Sequence, residues 1–147
     1  MSAYTTVVVG TDGSESSLKA VERAGALAGD SATLVIACAY FPNDRSSSGA
    51  ADVLKDEAYQ IQGSSPTEEI LRTAKERATR AGGSKIELRA VKGAPVDALM
   101  QLVSDTKADL LVVGNKGLNS IAGRLLGSVP ADVARKSACD VLIVHTT

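Results

Sequence analysis

Leu110-Leu111-Val112-Val113-Gly114-Asn115-Lys116-Gly117, then nine residues, then Gly127-Ser128, is the stretch on which the reading of this 147-residue chain turns. The four apolar residues read as a buried strand, and a helix-like run from Val129 to Lys136 follows the second glycine group. A strand that ends in a small-residue loop and re-enters a helix is an arrangement by which α/β proteins hold phosphates. Backbone N–H groups point into the loop, and the helix N-terminus adds partial positive charge. Gly114 and Gly117 either let backbone approach a ligand or take up positive φ, and Gly127-Ser128 offers N–H groups and a hydroxyl where the helix begins. A single such glycine more often shapes a loop; the spaced set after a buried strand favours phosphate.

Working outward, four more apolar runs recur with helical segments between them. Val7-Val8-Val9 ends at Gly10, and a helix is expected from about Ser14 to Ala28 with Leu18, Val21, Ala24, Leu27 and Ala28 on one face. Leu34 to Ala39 is apolar throughout, as a strand covered on both sides should be. Pro42 to Ala51 is rich in Ser, Asn, Asp and Gly, periodicity stays weak up to Ser64, and a mobile surface loop is expected there. Ser65 as N-cap, Pro66 at the first helical position and Glu68 three residues after the cap announce the next helix, with Ile70, Leu71, Ala74 and Ala78 inward and Gly82-Gly83 as its stop. Ile86 to Val91 alternates apolar with charged residues and reads as an edge strand with one wet face. Pro95 opens a helix with Val96, Leu99, Met100 and Val103 inward, and Val141 to Val144 is the last strand. Strands alternating with helices imply an α/β fold: one parallel sheet with helices on both faces, a single domain over residues 1–147.

Composition narrows the function. The formal net charge is −1 with both signs mixed along the chain, so neither a nucleic-acid stripe nor a polybasic membrane patch is visible. Three Tyr, one Phe and no Trp leave little for stacking single-stranded bases. The N-terminus lacks a charged segment followed by an apolar one, and the longest apolar run, Leu34 to Phe41, is too short to span a bilayer. Cys38 and Cys139 sit beside apolar strands and read as two buried thiols, and a cytoplasmic location is expected.

In an open parallel sheet, ligands sit outside the carboxyl ends of the strands where the strand order reverses. Two strand ends carry ligand-like turns: Gly10-Thr11-Asp12-Gly13-Ser14, and the segment from Gly114 to Ser128. They share one crevice if the first and fourth strands are neighbours. Asp12 reads equally as a carboxylate for ribose hydroxyls or magnesium and as a turn or capping residue before Ser14. Lys116 and Arg124 are candidate cations for phosphate, although solvated charge on a loop is the more common outcome, and Ala39 ends the second strand with a backbone that a base edge can reach. The chain has neither a G-x-x-x-x-G-K-[ST] segment nor a G-x-G-x-x-G after its first strand, which removes the Walker-type hydrolases and the usual dinucleotide fingerprint. The only histidine, His145, lies at the end of the last strand, so Ser14, Ser16 and Ser17 have no obvious base, and no metal-type ligand spacing occurs.

Val9 to Ser14, the Gly-x2-Gly-x9-Gly-Ser segment from Gly114 to Ser128, and Cys139 to Val144 together resemble the universal stress protein family, in its ATP-binding branch. The resemblance covers essentially the whole chain. It implies a doubly wound five-stranded parallel sheet in the order 3-2-1-4-5, which places strands one and four side by side. It implies further that Asp12 contacts the nucleoside end and the backbone at Ala39 meets adenine. Gly114, Gly117, Gly127 and Ser128 hold ribose and phosphates, and Val129 adds a backbone contact. Gly10, Asn115 and Lys116 complete the set, with Asn115-Lys116 in place of the commoner Ser/Thr-Arg or His pairing. The implied ligand is an adenine nucleotide: ATP, with magnesium as a companion, or AMP or cyclic AMP. The implied role is a regulatory binding module, with slow magnesium-dependent ATP hydrolysis or phosphotransfer from the same pocket as the alternative. Pairing of two copies through the last strand, Val141 to Val144, is expected, and neither nucleic acid nor membrane is an expected partner. A phospho-receiver is disfavoured because Asp12 stands alone after the first strand and Asp109 precedes its own. A nucleotide-free interaction module is disfavoured by the intact glycine pattern.

Overall fold

The computed structural model describes residues 4–40, 64–115 and 129–146. Side chains at 64–66, 95 and 129–132 are outside that description. So are the expected loop from Pro42 onward and, at the site, Lys116, Gly117, Arg124, Gly127 and Ser128.

The chain runs β1 (Thr6–Gly10), α1 (Glu15–Ala28), β2 (Thr33–Tyr40), α2 (Ser64–Ala81), β3 (Lys85–Lys92), α3 (Pro95–Thr106), β4 (Leu110–Gly114), α4 (Val129–Lys136) and β5 (Asp140–Val144). The five strands form one parallel sheet in the order β3-β2-β1-β4-β5. Alternation along the strands distributes their side chains between two cores. Val7, Val9, Leu34, Ile36 and Val112 pack under α1 and α2. Val8, Val35, Leu111 and Val113 pack under α3 and, through Val133, under α4. A strand covered on both faces needs apolar residues at every position, which is why β1, β2 and β4 read as unbroken runs.

β3 is an edge strand, as its charged alternation predicts, and it is wetter than expected: Leu88 is exposed, while Ile86 and Val91 are half-buried. Leu27 departs from the expected inward face of α1 and is 39% exposed. The buried stripe is centred on Leu18, Val21, Ala24 and Ala28, and Leu27 falls at its margin. α2 begins at Ser64, one residue before the expected cap at Ser65, and Pro66 still lies in the first turn, where its missing N–H costs nothing. Of the two thiols expected to be buried, Cys38 is buried and Cys139 only half-buried; both are free.

The α1–α2 seam is close enough to need glycine. A Cβ on Gly25 would stand 2.7 Å from the Ala78 carbonyl oxygen. Arg77 of α2 closes the same seam, with its guanidinium on both carboxylate oxygens of Glu15 and on Glu22. At the amino ends of the strands, the Asp109 carboxylate accepts from the N–H groups of Thr5 and Thr6 and from the Thr5 hydroxyl, fastening the entry to β1 against the entry to β4. Burial pushes the Asp109 carboxyl up, but these hydrogen bonds outweigh it and hold the group below the usual aspartate range.

Candidate functional site

Strand order reverses between β1 and β4: the chain first winds outward through β2 and β3, then crosses back through α3 to the other side of β1. Val9 is level with Val112 and Gly10 with Ala37, so the turn after β1 lies between the carboxyl ends of β4 and β2. The adjacency on which the shared crevice depends is therefore present. Gly10, Asp12, Gly114 and Asn115 are brought to one end of the sheet. Ala39, half-buried and two residues beyond the partner of Gly10, stands on the far side of β1. Three adjacent strand ends span two interstrand spacings, roughly 10 Å.

The turn after β1 is built from a satisfied polar network. The Thr11 N–H donates to the Ala37 carbonyl at 2.9 Å, carrying the parallel ladder one residue past the strand. Thr11 and Ser17 are each 1% exposed, and their hydroxyls are 2.8 Å apart. Ser17 Oγ donates to the Ser14 carbonyl and accepts from the Asp12 N–H. Its single proton is thus committed, so Thr11 must donate to Ser17, and Thr11 Oγ1 then accepts from the Gly13 N–H. Gly13 has φ +87°, a conformation that a side chain would strain, and a Cβ there would also meet Ile70 at 3.0 Å.

Asp12 has the turn role: its Oδ1 accepts from the Ser14 N–H at 2.9 Å. Ser14 in turn caps α1 by accepting from the Ser17 N–H. A carboxylate offers several acceptor sites, so the turn bond leaves Asp12 the capacity to meet a ligand donor as well. Burial, assisted by the charge of nearby Asp12, pushes the Cys38 thiol up to about 11. Asp12 therefore stands within electrostatic reach of the end of β2.

At the neighbouring strand end, Gly114 is buried in β4 and is not among the glycines with positive φ. The second of the two reasons expected for glycine there does not hold. A Cβ on Gly114 would lie 3.5 Å from Thr146 Cγ2 and 3.7 Å from Ser16, ordinary van der Waals contact, so the chain's own packing does not demand glycine there. The Asn115 N–H donates to the Val144 carbonyl at 2.8 Å, and its Oδ1 accepts from both the N–H and the hydroxyl of Thr146, at 2.7 and 3.0 Å. A backbone N–H can only donate, so it is the amide oxygen of Asn115 that faces Thr146. Ser16 Oγ then donates to Thr146 Oγ1. The side-chain oxygen of Asn115 is thus turned to the C-terminal residues. Val129 is the first residue of α4, which places the helix start directly after Ser128, as the spacing predicts.

Thr146 is a residue of this end of the sheet that the sequence did not mark at all; Thr11 was named only as part of the turn, and Ser16 and Ser17 only as serines without a base. Ser17 had a signal, since it lies three residues after a capping serine; Thr146 had none. Among the described residues no group of three or more His, Cys, Asp or Glu is placed to hold a metal ion. No helix among them is long and apolar enough to cross a membrane.

Known proteins share this architecture. The chain is 61% identical to the universal stress protein Rv1636 of Mycobacterium tuberculosis over 147 residues, the full length of both. It resembles a crystal structure of a universal stress protein in complex with cAMP at 57% identity and a TM-score of 0.75, covering 99% of this chain and 100% of that one. The universal stress protein from Archaeoglobus fulgidus in complex with dAMP shares the fold, with 18% identity, a TM-score of 0.65 and coverage of 95% and 97%. The model of the universal stress protein family matches residues 3–145. With the strand order, the paired turns and that match in agreement, the chain belongs to the universal stress protein family.

Proposed function

We propose that the protein binds an adenine nucleotide in the crevice at the carboxyl ends of β2, β1 and β4 and acts as a regulatory binding module. The observation that carries this reading is the juxtaposition of the Asp12 turn with the exit of β4 at Gly114. In this reading Asp12 and Gly10 meet the nucleoside, the Ala39 backbone meets the adenine edge, and Gly114 and Asn115 open the glycine segment. Gly117, Gly127, Ser128 and Val129 supply donors to phosphate, and Lys116 supplies charge. Hydrogen bonds to a charged group contribute about 1.5–3 kcal/mol each, so three or four backbone donors suffice without an arginine.

The cAMP complex of the 57% identical relative supports a ligand with a single phosphate, cyclic AMP or AMP. ATP is the second reading, favoured by the Gly-x2-Gly-x9-Gly-Ser spacing. The described carboxylates near the crevice do not make a metal site by themselves, so magnesium would arrive with a triphosphate and share Asp12.

Pairing of two copies through β5 belongs to the same reading. β5 is an edge strand with Ile143 42% exposed, and a hollow of about 400 Å³ lies beside it between Tyr4, Leu27, Leu110, Asp140, Val141 and Leu142. An apolar edge of this kind is stable in solution when paired or covered.

The test is mass spectrometry of any small molecule released on denaturing the purified protein, with calorimetric titration of cyclic AMP, AMP and ATP, the last with and without magnesium. A released adenylate or saturable heat is expected. No release and no heat from folded protein would overturn the reading, and metal-dependent phosphate release lost in Asp12→Ala would make the module an enzyme.

A further inference from the structure

We infer that Thr146 is a positioning residue of the crevice: its hydroxyl, held between Asn115 and Ser16, fixes the point where the chain leaves β4 and so sets affinity for the nucleotide. The inference rests on the nucleotide reading above. Thr146 lies past the end of β5 yet is only 7% exposed, and it joins three segments that are distant in sequence. Its N–H and Oγ1 both donate to Asn115 Oδ1, and its Oγ1 accepts from Ser16 in the first turn of α1. A buried polar side chain with every bond satisfied holds one arrangement, because any other leaves a group unpaired.

The clamp does little that the backbone has not already done for the tail. β5 is paired with β4 up to Gly114 and Val144, and the Asn115 N–H continues that ladder to the Val144 carbonyl. What the side chains add is the placement of one residue, Asn115, relative to the start of α1. Ser16 is four residues beyond Asp12 in the first turn of α1, next in the chain to Ser17, whose hydroxyl belongs to the turn network of the other wall. The hydroxyl of Thr146 therefore ties Asn115 to the first turn of α1, beyond what the β1–β4 ladder fixes, and its methyl group lies beside Gly114.

Thr146→Val keeps the shape and removes the hydroxyl; Thr146→Ser keeps the hydroxyl and removes the methyl. Full-length wild type and both variants are titrated calorimetrically with cyclic AMP and AMP, with urea unfolding run alongside. Thr146→Val is expected to weaken binding about five- to tenfold, the scale of one lost hydrogen bond's worth of placement, and Thr146→Ser to restore it to within about twofold. If Thr146→Val does not fold, Ser16→Ala decides in its place, with a loss of about two- to fourfold expected. Wild-type binding with unchanged affinity in Thr146→Val would overturn the inference and leave the nucleotide reading intact. Equal loss in the Val and Ser variants would assign the effect to packing and overturn it also. Absence of binding in the wild type would defeat the nucleotide reading itself, and the inference with it.

Discussion

Gly25→Ala sets two effects of opposite sign against each other. In an exposed helix, replacing glycine by alanine stabilises by about 1 kcal/mol, because glycine loses more backbone freedom on folding. Gly25 is buried against α2, where the new Cβ would stand 2.7 Å from the Ala78 carbonyl oxygen, 3.0 Å from its Cα and 3.2 Å from its carbonyl carbon. All three atoms are backbone, so no rotamer change relieves the contact and the helices must separate. Gly83 leaves little room for that adjustment, since its own Cβ position is 3.3 Å from the same oxygen and 3.5 Å from Gly25 Cα. Separation would also stretch the Arg77 contacts to Glu15 and Glu22. Overpacking of this kind costs about 1–3 kcal/mol, with the upper half applying where backbone takes the collision. Net of the propensity gain, a loss of about 1–2 kcal/mol is expected, which for a chain of this size lowers Tm by roughly 2–8 °C. Urea and thermal unfolding followed by circular dichroism measure it. Nucleotide affinity should be unchanged, because Gly25 lies eleven residues along α1 from its cap, roughly 16 Å from the turn. An equal or higher Tm would show that the helices part freely and that the close seam carries no constraint.

Two further outcomes follow from the strand ends. Asp109→Asn removes the charge that the N–H groups of Thr5 and Thr6 stabilise, and about 1 kcal/mol should be lost at pH 7 after allowing for partial exposure. Because the folded-state pKa is depressed, that contribution is present above the ordinary aspartate value of about 4 and is lost as pH falls through the folded value; wild type and variant should converge in acid unfolding, and a pH-independent gap would refute the assignment. Gly114→Thr places a branched side chain against Thr146 and Ser16 at the mouth of the glycine segment, and adenylate binding should weaken tenfold or more, at least ~1.4 kcal/mol, with the fold kept; unchanged affinity by titration would remove this strand end from the site.

The sheet was legible because burial on both faces leaves a one-dimensional trace. Val7 to Val9, Leu34 to Cys38 and Leu110 to Val113 are apolar at every position, whereas the charged alternation of Ile86 to Val91 marks an edge. The order of the strands was not written in those runs; it came from the family resemblance. The Asp12 turn was legible as a turn, and Gly13 within it takes positive φ. Gly114 was legible only as a small residue, and its neighbours Thr146 and Ser16, 32 and 98 positions away, meet it only in three dimensions. The same separation hid the Thr146 clamp, whose partners leave no periodic signal. Leu27 misled because periodicity finds a stripe but not where its margin meets open space beside β5.

The two cysteines have a practical consequence. Thiolate is the species that alkylating reagents attack, and a thiol with a pKa of about 11 keeps only about one part in a thousand ionised at pH 8. Cys38 is also enclosed, so it is shielded both chemically and sterically. Cys139 is half-buried at the entrance to β5, with its sulfur near Ser137 Oγ and the Asp140 carbonyl. One limiting dose of a fluorescent maleimide would therefore label the edge strand and leave the crevice unmarked. The sequence thus carries an addressable chromophore position, beside the edge through which pairing is proposed, without a single engineered residue.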